Sequence, residues 1–503
     1  MKIENLLWIT ALGCAAGCAG TRPSWLTVGP DYVEPKVEPS EAPVPDAGHP
    51  TTNQTATGEF APAAANEDPR LTITADSLRC WWGKFDDPIL TNLVSMAVSN
   101  NLSFAMAQKR LMQARWLLLG SAADLFPHLS MQGSAKSSET HRNNSGLYSS
   151  HKSTGVRARH THLFNSGFDA TWEIDIFGGV SREVEAAYAQ VESAEYSLAD
   201  AWVSLTAEIG SQYISLRSVQ ERLRVARANL KLQGETYDIL KSRLDSGIGD
   251  ELAVNQAKYN VEQTRAAIPL ILAQEEELMN ALAILAGTMP GALRSYLGNL
   301  PDRDWLLAPQ KIEDIPLDLM RARPDVKAVE RALAAQVAKV GVSVSYLYPK
   351  FYLNGSLGLE SVKIQKFMNR GSLYSWIGPS FSWPIFQGGN IIANIKAEEA
   401  KMDEAALKYE LALQNAYAEV RNAYSSYTQE QHRYQSLQRA VKAAQDAVNI
   451  SQDLYKNGLA DFNNVLDAQR SLLTLEEALT VSRGQISTHL IALYKAMGGG
   501  LAL

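Results

Sequence analysis

Few side chains in this 503-residue sequence are spaced for chemistry. Four histidines fall between residues 141 and 162, but no carboxylate lies among them to complete a metal site: His141, His151, His160 and His162. The sequence has no Walker motif, no set of histidines and cysteines at metal-ligand spacing and no nucleophile elbow. We therefore expect neither an enzyme nor a metal site, and we interpret the histidine segment as an exposed polar loop.

Two cysteines near the start of the chain are the strongest candidates for covalent modification. Lys2 and the apolar segment from Leu6 to Leu12 are typical of a secretory signal, and Cys14 and Cys18 each follow small residues. This arrangement resembles the lipobox of bacterial lipoproteins, in which the cysteine is lipidated and becomes the mature N-terminus. We expect residues 1–17 to be the signal peptide and Cys18 to carry a diacylglycerol and an N-acyl group. The alternative is an ordinary signal with incidental cysteines.

Bulk properties exclude two classes of protein. The net charge is -7 and no long basic run occurs, so nucleic acid is not an expected partner. No run of about 18 apolar residues occurs, so no transmembrane helix is expected. Prolines are frequent between Pro35 and Pro69, which predicts an extended linker within residues 18–80. Cys80, at its end, has no obvious disulfide mate.

Long helices account for much of the chain. From Ser181 to Ser246 there is no proline, and apolar residues recur three and four apart. This pattern predicts a helix of roughly 66 residues, about 100 Å long, with a heptad-like apolar stripe. The turn from Ser246 to Asp250 ends it, and a second helical stretch begins at Glu251. A hairpin of this length is a rod, and other rods must cover its apolar stripe.

A strand hairpin precedes the rod. Helical periodicity from Ile89 to Leu125 ends at Phe126-Pro127, and apolar residues then alternate with polar ones over residues 129–136 and 168–176. A polar loop from Ser137 to Thr161 joins the two segments. An apolar face toward lipid and a polar face toward a wet lumen fit this alternation. The alternative is a hairpin that packs on a soluble α+β domain.

The second half of the sequence repeats these elements in the same order. A helical stretch, two alternating segments, a long proline-free helix and a turn follow one another: 324–346, 351–359, 377–385, 390–456 and 457–461. Gly247 and Gly458 are 211 residues apart, and Pro127 and Pro349 are 222 apart. Neighbouring positions share these spacings, which indicates a duplication. Because four strands cannot close a barrel and lipid tolerates no open edge, membrane-embedded strands would require several copies of the chain.

The sequence resembles the outer-membrane efflux proteins, the TolC-like family, and within it the lipoprotein branch of OprM and NodT type. The first half carries the lipobox at Cys18, Val-Gly-Pro-Asp-Tyr at 28–32 and Trp-Trp followed by Phe-Asp-Asp-Pro within 81–88. The second half carries Arg-Pro-Asp at 323–325, Phe-Gln-Gly-Gly at 386–389 and Leu-Asp-Ala-Gln at 466–469. Together these motifs cover nearly the whole mature chain.

The resemblance implies a fold class and an organisation. The expected fold is a membrane channel in the outer membrane: a duplicated unit of two β-strands and a long α-helical hairpin, three copies of which form a homotrimer with a 12-stranded β-barrel continuous with an α-helical periplasmic tunnel. The two repeats are expected at 81–290 and 317–497, with an equatorial connector at 291–316 and a C-terminal tail at 498–503. The implied partners are a periplasmic adaptor protein and an inner-membrane pump, often of the resistance-nodulation-division type.

The resemblance also implies site residues. In the family an aspartate in Leu-Asp-Ala-Gln closes the tunnel as a ring, which places the pore gate at Asp467; a solvated aspartate on a rod surface is the alternative. The apolar constriction of OprM-like channels, four residues earlier, is Asn463 here, so a hydrophobic plug is not expected. The helical tips with Gly247, Ile248, Gly458 and Leu459 would contact the adaptor, although glycine in a turn is explained by helix breaking alone.

Three tryptophans suit a girdle at the membrane interface: Trp172, Trp376 and Trp383. Packing inside the strands is the alternative. The function that this sequence predicts is passive transport of small molecules through an outer-membrane exit duct of a tripartite efflux system. Two alternatives stay open, a type I secretion duct of the same family and a periplasmic coiled-coil scaffold that never conducts. The transported substrate is not encoded in these residues.

Overall fold

The computed structural model describes residues 27–33, 35, 70–71, 80–140, 159–298, 311–312, 320–457 and 459–499. The chain forms two compact units, and each takes segments from both halves of the sequence. Unit 1 comprises residues 1–35, 111–194 and 329–409, and unit 2 comprises residues 36–110, 195–328 and 410–503. The limits of the two sequence repeats therefore remain predictions.

The elements are numbered in chain order. They are β1 Arg70–Leu71, α1 Pro88–Asn100, α2 Leu102–Ala123, β2 His128–Thr140, β3 Arg159–Ile174, α3 Gly179–Asp245, α4 Glu251–Leu285, α5 Arg294–Leu297, β4 Lys311–Ile312, α6 Pro324–Ser345, β5 Lys350–Ser361, β6 Leu373–Ser382, α7 Asn390–Lys456 and α8 Phe462–Ala496. Among the residues described, no helix is long and apolar enough to cross a membrane.

The bounds of the helices confirm the duplication. α3 and α7 each have 67 residues, and α4 and α8 each have 35. Every bound of α7 and α8 lies 211 residues after the matching bound of α3 and α4. α2 and α6 have 22 residues each, and their bounds lie 222 apart. The same pattern of propensities and turns therefore builds the same elements twice.

Unit 1 contains one antiparallel sheet with the strand order β2-β3-β5-β6. Phe168 pairs with Leu357 and Trp172 with Leu353 on one face, while Asp169 pairs with Ser356 on the other. The predicted separation into an apolar and a polar face is therefore confirmed. Leu129, Ile377 and Phe381, all on the apolar face, are 70%, 76% and 69% exposed, so this face is not packed on a core.

Two sequence predictions need correction. The helix expected from Ile89 to Leu125 is broken at Asn101, which has an extended backbone. Its side chain accepts a hydrogen bond from the Phe104 amide at 2.9 Å and donates one to the Leu285 carbonyl oxygen at 2.9 Å. This cap starts a new helix at Leu102, and its second partner is 184 residues away, so helical periodicity could not reveal the break.

The predicted loop from Ser137 to Thr161 is also too long. Strand pairing continues to Thr140 on β2 and begins at Arg159 on β3. Serine and histidine side chains interrupt the alternation of apolar and polar residues in this part of the hairpin, so the sequence pattern does not indicate strands there. The backbone hydrogen bonds do not depend on apolar side chains, and the strands continue.

An ion cluster fixes the N-terminal end of α6 within unit 2. Arg323 is 7% exposed and donates hydrogen bonds to the Ala496 carbonyl oxygen at 2.7 Å and to Glu419 at 2.7 Å. It also donates hydrogen bonds to both carboxylate oxygens of Asp325, at 3.0 and 2.7 Å. Burial alone would raise the pKa of Asp325, but the hydrogen bonds and charge of Arg323 outweigh it and lower that pKa. Nearby Asp200 has a raised pKa, mainly because burial penalises its charged form.

These two carboxyl groups should respond to pH with opposite signs. The lowered pKa of Asp325 gives stability that is present above its ordinary value of 3.8 and lost in more acidic solution. The raised pKa of Asp200 has the opposite effect on stability, because ionisation of this buried carboxyl above pH 3.8 destabilises the fold. We expect Asp325→Asn to lower the thermal denaturation midpoint at neutral pH and Asp200→Asn to raise it.

The measurement is the denaturation midpoint of both variants and the parent between about pH 3 and pH 7. The difference between Asp325→Asn and the parent should shrink toward the acid end, because below pH 3.8 the unfolded parent takes up a proton at Asp325 before the folded parent does. A difference that stays constant with pH would assign the stability of this cluster to packing and not to charge.

Candidate functional site

The predicted gate residues share one face at the start of α8. Asn463 and Asp467 are four positions apart and both are exposed. The opposite face holds Phe462, Val465 and Leu466, which are buried with Leu240, Ala253 and Ala257 of α3 and α4. The packed face fixes the rotation of α8, so the polar side chains point away from the contact with α3 and α4.

Arg470 anchors this polar face to α4. Its Nη1 lies 3.9 Å from the Asp467 Oδ1, and its Nε donates a hydrogen bond to the Asn260 Oδ1 at 2.9 Å. Its guanidinium lies 5.3 Å from the centre of the Tyr259 ring. Asn260 is 3% exposed, so it offers a fixed acceptor. Arg470 was not predicted from the sequence, although its position one turn after Asp467 on a helix was a usable signal.

The first helical tip ends α3 with a glycine in the left-handed conformation. Gly247 has φ +78°, and the amides of Gly247 and Ile248 donate to the carbonyl oxygens of Leu244 and Arg243. This is the double hydrogen bond of a Schellman turn, which only glycine allows without strain. Ile248, next to it, is 79% exposed. The turn therefore presents an aliphatic side chain to its surroundings.

The second tip has a similar outer side chain. Leu459, between α7 and α8, is 74% exposed, and its amide donates to the Leu454 carbonyl oxygen at 2.9 Å. Gly458 lies outside the described residues. The two hairpins thus each carry one large exposed aliphatic residue at the turn.

A groove of about 470 Å³ lies beside the second tip, between α3, α7 and α8. Apolar and amide side chains both line it, and the amides include Gln233, Gln445, Asn449 and Gln469. Gln233 is 7% exposed, and within the described part of the chain its Oε1 has no hydrogen-bond partner. An unsatisfied acceptor in a groove favours a partner that brings donors.

The segment after the predicted lipidation site packs within unit 1. Cys18 itself is outside the described residues, but residues 27–33 are described. Arg182, with its side chain 5% exposed, bonds to the carbonyl oxygens of Val28 and Gly29 and to Asp31 at 2.5 Å. The backbones of Gly29 and Gly341 are in close contact. A Cβ added to Gly29 would lie 2.4 Å from the Gly341 Cα, so there is no room for a side chain at position 29. We call residues 27–33 the N-terminal strap.

The three tryptophans predicted as a girdle fall on different faces. Trp172 and Trp383, 211 residues apart, donate from Nε1 to the carbonyl oxygens of Leu125 and Leu347, at 2.9 and 3.0 Å. Trp376 pairs with Ser356 and shares the polar face of the sheet. Trp172 and Trp383 therefore remain girdle candidates, whereas Trp376 belongs to the polar face.

The histidine segment is only partly described. His162 pairs with Ser137 across β2 and β3, while His141, His151 and the side chain of His160 lie outside the described residues. Within the described ranges, no group of three or more histidines, cysteines or carboxylates could hold a metal ion.

Known proteins resemble this chain along most of its length. Residues 93–288 and 317–499 match the sequence model of the family described as outer membrane efflux protein. Nodulation protein T of Rhizobium leguminosarum bv. trifolii is 29% identical over 479 residues, which are 95% of each chain. Outer membrane protein OprJ of Pseudomonas aeruginosa is 28% identical over 480 residues, which are 94% of each chain. The solved structure of the outer-membrane channel OprN has a TM-score of 0.80 at 31% identity and covers 94% of this chain and 99% of that one.

Proposed function

The chain belongs to the outer membrane efflux protein family, and on this premise we propose that it is the passive exit duct of a tripartite efflux system in the outer membrane. The observation that carries the proposal is the four-stranded sheet with an exposed apolar face, attached to two helical hairpins of equal length. A sheet of this kind is unstable in water as a single copy and suited to lipid as part of a ring.

We infer a homotrimer, which the family resemblance implies and which the strand count fits. Three copies of four strands give twelve, which is within the range of outer-membrane barrels, and a closed ring leaves no unpaired edge. Along α7, Ile392, Leu407 and Leu411 are 61%, 66% and 55% exposed in one chain, so neighbouring copies would cover them. The exposed residues support assembly of rods as well as of strands.

In this trimer we place the gate at Asp467, with Asn463 beside it. Three carboxylates around one axis repel one another, bind cations and narrow the passage. Arg470 holds the helix next to each carboxylate against α4 through Asn260, so it limits how far the carboxylate can move. Asn463 places polar atoms beside the carboxylate and cannot form an apolar plug. Closure would therefore depend on the charge of Asp467 and on the position of the helix.

Planar-bilayer recordings of the reconstituted protein test both the duct and the gate. We expect a small resting conductance for the parent trimer and a several-fold larger one for Asp467→Ala, because the charge ring is removed. Asp446→Ala, at an exposed carboxylate on α7, is the matched control and should leave the conductance unchanged.

The outcomes separate the candidate functions. A purified trimer that never conducts, with or without the substitution, favours the scaffold. A conductance that is the same in Asp467→Ala and the parent would support the duct and contradict a gate at Asp467.

The partners would be a periplasmic adaptor and an inner-membrane pump of the resistance-nodulation-division type. The adaptor contact is proposed at the tips, with Gly247, Ile248, Gly458 and Leu459, and in the neighbouring groove. Exposed Ile248 and Leu459 offer apolar contact, and the amide side chains of the groove offer hydrogen bonds to a partner helix. A type I secretion system would use the same tips with a different adaptor.

A photo-crosslinking residue at Leu459 should capture the adaptor in cells that express it. The control position is Leu270 on α4, which is also 74% exposed and lies about 28 Å from the start of that helix. We expect an adduct from Leu459 and none from Leu270. Equal yields at the two positions, or none at Leu459, would contradict docking at the tip.

The lipid anchor is proposed at Cys18, with a diacylglycerol and an N-acyl group. Thr27, the first described residue, follows Cys18 by nine positions, a reach of at most about 30 Å for an extended chain. The N-terminal strap is held on Arg182, so it would keep the anchor close to the sheet. Mass spectrometry should therefore find a mature N-terminus at Cys18 with acyl chains.

Cys18→Ser should abolish this modification, whereas Cys80→Ser, at an exposed free thiol, should leave it intact. An unmodified mature N-terminus in the parent protein would refute the lipid anchor and would not bear on the proposed duct.

A further inference from the structure

Two glycines on neighbouring strands form a shallow cradle in the polar face of the sheet. Gly167 of β3 pairs with Gly358 of β5, and Gly358 pairs with Tyr374 of β6. A Cβ added to Gly358 would lie 3.0 Å from the Tyr374 Cε1, and one added to Gly167 would lie 3.1 Å from its hydroxyl oxygen. The ring of Tyr374 therefore lies across both glycines, flat against the sheet.

Two hydrogen bonds hold the far end of the ring. The Asn165 Nδ2 donates to the Tyr374 hydroxyl at 3.2 Å, and the Ser356 Oγ contacts the same hydroxyl at 3.2 Å. Ser356 is 7% exposed beneath the ring. A tyrosine that reaches across two strands to two polar partners is fixed in one rotamer, which is a specific arrangement and not a loose surface side chain.

The position of this cluster in the sheet matters for transport. Tyr374 is the second residue of β6 and follows the connection from β5, at the end of the sheet opposite to the start of α7. It shares the polar face with Asn354, Ser356 and Trp376. If the trimer is the duct of the proposed function, on which this inference rests, the polar face lines the lumen. Three copies of Tyr374 then form a ring near the outer exit.

We propose that Tyr374 determines the width of the outer exit and that Gly167 and Gly358 keep its ring against the wall. A Cβ at either position would also meet the backbone of the facing strand, at 2.9 Å from Gly167 and at 2.7 Å from Gly358, so glycine is what lets the two strands and the ring pack together. The cluster would therefore set the size of solute that can leave, independently of the gate at Asp467.

The first test asks whether position 374 faces the conducting path. In a Cys80→Ser, Asp467→Ala background, which has the larger current, Tyr374→Cys is compared with Leu373→Cys, its neighbour on the apolar face. A charged methanethiosulfonate reagent should lower the current through Tyr374→Cys by roughly half or more, because the adduct occupies the lumen, and should leave Leu373→Cys unchanged. No effect at position 374, or equal effects at both, would overturn the proposal.

The second test addresses the ring. Tyr374→Ala should raise open-channel conductance by roughly half or more, because the side chain that narrows the exit is then gone. Gly378→Ala is the control on the same face and should leave the conductance unchanged, since a Cβ there meets nothing within 4 Å. Trimer formation is checked by electrophoresis, and a conductance that is the same in Tyr374→Ala and the parent would overturn the role of the ring.

The two tests also separate this proposal from the duct itself. A protein that carries no current, with or without Asp467→Ala, refutes the proposed function. A parent that conducts, with Tyr374→Cys insensitive to the reagent, refutes only the exit ring.

Discussion

The structure depends on the pairing of backbone groups at the two edges of the sheet. Within the described residues, β2 pairs only with β3, and β6 pairs only with β5. In a membrane each unpaired amide or carbonyl group costs several kcal/mol, so a sheet of four strands cannot stay open there. Closure with other copies meets this requirement, and because each copy carries two long hairpins, it also brings the helices into a bundle. One requirement of the backbone therefore makes assembly obligatory.

The duplication makes such a ring possible with one kind of subunit. α7 is as long as α3 and α8 is as long as α4, so the two halves of the chain carry the same helical hairpin. The copies differ in what they bury. On α7, Leu407 and Leu411 are exposed in one chain, whereas the matching positions of α3, Tyr196 and Asp200, are partly buried. Burying one such leucine against another copy contributes roughly 1.5–3 kcal/mol, so the rod contacts add substantially to the pairing of strands.

The sequence predicted the elements far better than the contacts between them. The span from Asn390 to Lys456 was predicted to the residue because proline, glycine and apolar spacing are local signals. The break at Asn101 and the link from Arg470 to Asn260 were missed because each depends on a partner more than 180 residues away. The cradle under Tyr374 could not be predicted either, since it requires the register of three strands. Local chemistry is visible in one sequence, whereas positioning by distant residues is not.

The same contrast applies to the gate. Asp467 could be proposed from its motif, but what limits its movement is the packing on the other side of α8. Phe462, Val465 and Leu466 are 6%, 2% and 4% exposed, and they lock the start of α8 to α3 and α4. If Asp467 is the gate proposed above, rotation of its side chain alone cannot move the carboxylate far, because the Arg470 contact and this apolar seam lie on the same two turns. Opening would then have to move α8 together with its neighbours, and a partner bound at the helical tips would be well placed to drive that movement.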